Sequence, residues 1–143
     1  MRVILADGSL LFREGLSRVL ADLGIEVVAQ TGSTVDLMQL VATHRPDVVV
    51  LDVRMPPSHA DEGLVAAIPI RRTHHAVGVL LLSQFVETDS ALALLEEGGG
   101  VGYLLKDKVA DDAFSSAMTT VAQGGSVVDP EVVSALVGSR RSR

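Results

Sequence analysis

Short runs of consecutive apolar residues alternate along the chain with stretches whose apolar positions recur every three or four residues. The runs are Val3-Ile4-Leu5, Val27-Val28-Ala29, Val48-Val49-Val50-Leu51, Val77 to Leu82 and Val101 to Leu105, and they predict five strands. Phe12, Leu16, Val19, Leu20 and Leu23 space as one face of a helix, with Ser9 as its N-cap and Gly24 as its stop. Leu37, Leu40 and Val41 predict a second helix, capped by Ser33 or Thr34 and closed by Pro46. A third helix is expected over 61–72, with Leu64, Ala67 and Ile68 inward. Pro69 lies inside it, so a kink or an early end is expected there. Ala91, Leu94 and Leu95 mark a fourth helix that stops at Gly98-Gly99-Gly100. Ala110, Ala113, Phe114, Ala117 and Val121 mark a fifth, ended by Gly124-Gly125.

Strands alternating with helices predict an α/β fold, a doubly wound five-stranded parallel sheet with right-handed crossovers and helices on both faces. Val48 to Leu51 is apolar on consecutive residues, as a strand covered on both faces requires. In the order 2-1-3-4-5 the first and third strands are neighbours, and the site is expected at the carboxyl ends, where strand order reverses. The pattern changes after residue 125. Asp129-Pro130-Glu131 reads as a helix start with proline in first position, followed by Val132, Val133, Leu136 and Val137. The expected division is a domain over 1–125 and a linker or short sixth helix over 126–143.

Composition narrows the function. A chain of 143 residues with 48% hydrophobic content fits one domain with a real core. The absence of cysteine excludes disulfides, thiolate metal sites and cysteine catalysis. No apolar run reaches the roughly 20 residues of a membrane helix, and no signal-peptide pattern opens the chain, so a cytoplasmic protein with no membrane partner is expected. Twelve basic against eighteen acidic residues leave a net charge of −6, which disfavours nucleic-acid binding by the domain itself. Three of the cations, Arg140, Arg141 and Arg143, form a basic tip, so the body before them is more acidic still.

The strand ends carry the candidate chemistry. Asp7 ends the first strand, Asp52 the third, Ser83 the fourth and Lys106 the fifth. Adjacent carboxylates suit Mg²⁺, which takes few protein ligands and keeps waters. An ammonium and a hydroxyl can hold phosphoryl oxygens, and a carboxylate can itself accept a phosphoryl group. Such parts position and neutralise a phosphoryl group, which is most of what its transfer demands.

With Leu5-Ala6-Asp7, Phe12-Arg13-Glu14-Gly15-Leu16, Val50-Leu51-Asp52-Val53-Arg54-Met55-Pro56, Leu82-Ser83 and Gly102-Tyr103-Leu104-Leu105-Lys106-Asp107 in order, the chain resembles the receiver domain of a bacterial two-component response regulator. The likeness is to the LuxR/NarL-type subfamily, whose receiver carries a C-terminal helix-turn-helix domain. The resemblance implies a flavodoxin-like, CheY-like fold, with the receiver as the N-terminal part of a longer regulator. It implies that Asp52 accepts phosphate from a histidine kinase, and that Asp7, Asp52 and the backbone carbonyl of Arg54 hold Mg²⁺. Ser83 matches the switch hydroxyl, Lys106 the phosphoryl-pairing lysine, and Tyr103 the aromatic switch that turns inward. Phe85 and Arg54 match positions that tune dephosphorylation. The implied partners are the kinase, a second copy in a homodimer, and DNA only through the helix-turn-helix domain. The receiver would assist its own phosphorylation and a slow self-dephosphorylation without being a turnover enzyme.

One departure stands out. The family places a second acid at position 8, where this sequence has Gly8. An engineered change, a natural receiver with poor metal affinity and a module that signals without phosphate all stay open, and Glu14 is too far along its helix to substitute. A haloacid-dehalogenase-like phosphatase would need an acid where Arg54 stands. His74-His75 are adjacent on a loop and are expected to point apart into solvent. Gly98-Gly99-Gly100 reads as a turn, not a nucleotide loop.

Overall fold

A computed structural model describes residues 1–141, with side chains as far as Val137 in the last helix. Arg143 and the side chains of Arg140 and Arg141, which make up the expected basic tip, lie outside the described residues. The strands are β1 (Arg2–Ala6), β2 (Glu26–Thr31), β3 (Val48–Asp52), β4 (Gly78–Ser83), β5 (Val101–Leu105) and β6 (Ser126–Val128). The α-helices are α1 (Leu10–Asp22), α2 (Leu37–His44), α3 (Glu62–Thr73), α4 (Thr88–Leu95), α5 (Asp112–Ala122) and α6 (Pro130–Arg141). All neighbouring strands run parallel, in the order β2-β1-β3-β4-β5-β6.

Strand alternation sorts the apolar residues into two layers. Val49, Leu51, Val79, Leu81, Val101 and Tyr103 face α2, α3 and α4, meeting Leu37, Val41, Leu64, Ala67, Ile70, Ala91 and Leu94. Val48, Val50, Leu80, Leu82 and Leu104 face the other way, against Leu16 and Leu20 of α1 and Phe114, Ala117, Met118 and Val121 of α5. Both faces are therefore dry, and the carboxyl ends of the strands are left as the polar rim.

Four expectations need correction. The sheet has six strands, not five: Ser126, Val127 and Val128 pair with Val101, Gly102 and Tyr103. Three residues are too few to establish a period, so β6 is invisible as a hydrophobic pattern. Of the two outcomes expected at Pro69, the early end does not occur. The third helix runs to Thr73, because Pro69 lies on the exposed face and Arg71 is anchored to the carbonyls of Val77 and Gly99 at 2.6 and 2.7 Å. Ile70 is its fully buried isoleucine, and Ile68 faces inward as expected, half-buried against the same cluster. Neither Ser33 nor Thr34 caps α2. Asp36 holds the cap position without a side-chain cap bond, its carboxylate accepting the Thr31 hydroxyl at 3.1 Å. Finally, Ala110 falls in a 3-10 segment over Lys106–Ala110, and Ala113 is exposed; only Ala117 of the three small residues reaches the core.

Other expectations hold in detail. The Ser9 hydroxyl accepts the Phe12 amide at 3.2 Å, capping α1. Pro130 is the first residue of α6, whose Val132 is fully buried against the α2–α4 layer. Among the described residues, no helix is long and apolar enough to cross a membrane.

Candidate functional site

The polar rim gathers where β1, β3 and β5 end. Asp7 directly follows β1 and is 5% exposed. Its Oδ1 accepts the Ser9 amide at 2.8 Å, and its backbone carbonyl accepts the Arg13 guanidinium. Asp52 closes β3, and its Oδ1 accepts the Arg54 amide at 3.3 Å. Lys106 leaves β5 toward both. Its Nζ donates to Asp7 Oδ2 at 2.7 Å and to Asp52 Oδ2 at 3.2 Å, and lies 4.5 Å from the centre of the Phe12 ring. One ammonium thus bridges carboxylates from two neighbouring strands. The side chains of all three are nearly buried, so their mutual attraction is weakly screened.

That setting acts on Asp52. Burial pushes its carboxyl above the ordinary value of 3.8; the Lys106 ammonium opposes the shift, and the Asp7 charge adds to it. An open cavity of about 410 Å³ in front of this carboxyl is lined by Asp7, Gly8, Asp52, Arg54, Phe85 and Lys106, among others.

Ser83 ends β4 and is buried. Its hydroxyl donates to the Phe85 carbonyl at 2.7 Å and accepts the Phe85 amide at 3.2 Å, so it is turned along its own loop. Tyr103 is fully buried, its hydroxyl 3.5 Å from the same Phe85 carbonyl, and burial pushes its phenol above the usual range. Phe85 is exposed, with the Arg54 guanidinium 5.4 Å over its ring.

The expected site residues therefore divide in two. Asp7, Asp52 and Lys106 are in direct contact, with Gly8 and Arg54 beside them. Ser83 and Tyr103 form a second group around Phe85. Three residues that were not expected in the site join them. Glu87 pairs with Arg54 and accepts from the Ser83 hydroxyl at 3.3 Å. Gly63 brings α3 onto the backbone of Asp52. Phe12 lies under the Lys106 ammonium. The four-residue spacing of Ser83 and Glu87 is the only sequence hint of the first. His74 is half-buried and His75 exposed, away from the site.

The donor set fits Mg²⁺ but thinly. Among the described residues no three His, Asp or Glu side chains cluster as a metal cage. Two carboxylates and a backbone carbonyl are enough for an ion that retains waters and shares phosphate oxygens. Gly8 leaves the two carboxylates and one ammonium at a net −1, where a second acid would make −2.

The sequence pattern of the response regulator receiver domain matches residues 3–117. The oxygen regulatory protein NreC of Staphylococcus epidermidis is 34% identical over 138 residues, 96% of this chain and 62% of that protein. The "Probable transcriptional regulatory protein NarL" of Mycobacterium tuberculosis is 34% identical over 144 residues, 100% of this chain and 64% of that protein. The chain thus spans less than two thirds of the relatives it matches. The crystal structure of a LuxR-family two-component response regulator from Aurantimonas sp. SI85-9A1 superposes with a TM-score of 0.83 at 25% identity, covering 97% of this chain and 96% of that one. Matched along most of its length by the family pattern, and carrying its strand-end acids and lysine in one cluster, the chain belongs to the response regulator receiver-domain family.

Proposed function

We propose that this chain is a phosphorylation-switched receiver that accepts a phosphoryl group on Asp52 from a histidine kinase in the cytoplasm. The observation that carries this reading is the Lys106 ammonium bridging Asp7 and Asp52 at the mouth of an open cavity. An Asp52 carboxylate oxygen attacks the phosphorus of the kinase's phosphohistidine. The P–N bond breaks, its electron pair going to the imidazole nitrogen, and an acyl phosphate forms on Asp52. Lys106 would pair with a phosphoryl oxygen, and Ser83 would donate a hydrogen bond once its hydroxyl turns from Phe85. Asp7, Asp52 and the Arg54 carbonyl would hold Mg²⁺, which when bound neutralises charge developing on the transferred group. The protein assists its own modification, and a slow hydrolysis of it, without being a turnover enzyme. Tyr103, packed on the same loop carbonyl as Ser83, is the group we expect to report the change to the α4–β5–α5 surface.

The output belongs to parts outside this chain. We assign transcriptional control to a DNA-binding helix-turn-helix domain following a linker that includes α6, with dimerisation of the receiver as the switched step. The name and the greater length of the Mycobacterium tuberculosis relative support this reading.

Incubation with phosphoramidate and Mg²⁺, followed by intact-mass measurement and peptide mapping, tests the function. One phosphoryl increment on Asp52, released by hydroxylamine, is expected; an unmodified protein overturns the proposal. Gly8 favours a second reading, a receiver-fold interaction module that signals without phosphate. Gly8→Asp separates the two. A Cβ at position 8 would stand 3.1 and 3.2 Å from Cδ and Cγ of Pro56, so the proline ring must give by a few tenths of an ångström. A full charge about 4 Å from the metal is worth a few kcal/mol before desolvation, so Mg²⁺ affinity by titration is expected to rise about tenfold. Phosphorylation of Gly8→Asp but not of the natural chain would establish the second reading.

A further inference from the structure

Glu87 has no part in the transfer chemistry above, yet it touches the Ser83 hydroxyl, which that chemistry would recruit, and the guanidinium of Arg54 beside the same cavity. It occupies the position before α4, but its side chain caps no helix amide. Its carboxylate accepts from the Arg54 Nε at 2.7 Å and pairs with a second guanidinium nitrogen. It also lies 3.3 Å from the Ser83 hydroxyl, which shares its one proton between Glu87 and the Phe85 carbonyl. Glu87 is mostly buried, with its side chain 16% exposed, while Arg54 is 48% exposed and borders the cavity in front of Asp52. The guanidinium beside the cavity is thus held by a carboxylate that also lies within reach of the Ser83 hydroxyl.

We propose that Glu87 is a positioning residue that competes with a phosphoryl group on Asp52 for the Ser83 hydroxyl and the Arg54 guanidinium. This deepens the receiver reading and rests on it. A phosphoryl group carries more charge than a carboxylate and three acceptor oxygens, so the same donors suit both anions. In the resting protein Glu87 holds the Arg54 guanidinium and shares the Ser83 hydroxyl with the Phe85 carbonyl. Occupation of Asp52 must draw them away, and the free energy of their release is subtracted from phosphoryl affinity. Neutralising Glu87 removes the rival charge and leaves both donors available. A purely structural role for Glu87 has the opposite sign, since a damaged loop binds the phosphoryl group less well.

The purified chain, titrated with beryllofluoride at fixed excess Mg²⁺ and followed by fluorine NMR of the bound anion, tests this. Glu87→Gln is expected to lower the midpoint about 5-fold, within the usual range of coupling between sites. In an Arg54→Gln background the gain from Glu87→Gln is expected to shrink, because one of the two contested donors is already gone. A bound signal in the natural chain with an unchanged or raised midpoint in Glu87→Gln overturns the competition alone. A gain that persists undiminished without Arg54 overturns the role assigned to that ion pair. Absence of any bound signal in both proteins overturns the receiver reading together with it.

Discussion

Gly63→Ala is expected to destabilise the protein by about 3 kcal/mol or more, although it adds a single methyl group. The second residue of α3 lies against the end of β3, and a Cβ at position 63 would stand 1.8 Å from the Asp52 carbonyl oxygen. It would also meet the Asp52 carbonyl carbon at 2.8 Å and the Val53 Cα at 2.9 Å. These are backbone atoms at the end of a central strand, so no side-chain rotation relieves the clash. The N-terminus of α3 must lift, which breaks the 2.9 Å hydrogen bond from the Gly63 amide to the Val53 carbonyl. That bond contributes about 1 kcal/mol of its own. The melting temperature is expected to fall by roughly 10 °C, and urea unfolding should give the same ranking. Gly15→Ala is the control. Position 15 is exposed inside α1 with nothing within 4 Å of a new Cβ, so helix propensity alone decides and stability is expected to rise by up to about 1 kcal/mol. A Gly63→Ala protein as stable as the natural one would show that α3 does not pack on Asp52 in this way.

Asp129→Ala is expected to cost about 2–4 kcal/mol, as the loss of a buried carboxylate with several donors does. Asp129 is fully buried between β6 and α6. It accepts from the amides of Leu105 at 3.0 Å and Glu131 at 2.9 Å, and from the Lys108 ammonium at 3.0 Å. Its own amide donates to the Tyr103 carbonyl at 2.7 Å. Burial opposes its ionisation, but the Leu105 and Glu131 amides and Lys108 together outweigh burial and hold the carboxyl below its ordinary 3.8. A carboxyl whose folded value is lowered contributes stability that is whole above the unfolded value. That contribution fades as pH falls through 3.8 toward the lower folded value. The gap in unfolding free energy between the natural protein and Asp129→Ala should therefore be full at neutral pH and narrow in acid. A gap independent of pH would show that the loss comes from packing alone. Hydrogen exchange should quicken first at the Leu105 and Asp129 amides, whose bonds form this seam.

The same residues show why some of the molecule is readable in the sequence and some is not. Asp7, Asp52, Ser83 and Lys106 each stand where an apolar run stops, and in a parallel sheet those stops share one edge. The contact of Asp7, Asp52 and Lys106 follows from topology, while Ser83 shares the edge but turns to its own loop. Glu87 and Gly63 differ in kind. Each acts through the approach of a helix N-terminus to a neighbouring strand end, a distance set by packing and not by period. Asp129 reads locally as a helix start, and its burial depends on β6, which is too short to announce itself. The early helix end at Pro69 and the start of α2 fail as local rules for a related reason. Exposure of the ring and the anchoring of Arg71 override the first, and the hydrogen bond from Thr31 draws the Asp36 carboxylate away in the second.

The seam at Asp129 also has a mechanical side. The chain turns from β6 into α6 over this one residue, three positions in β5 and the following segment are tied to it, and Lys106 lies between two of them. From that fulcrum α6 extends for 12 residues, about 18 Å. A tilt of roughly 10° about Asp129 would carry its far end some 3 Å, about two residues of helical rise.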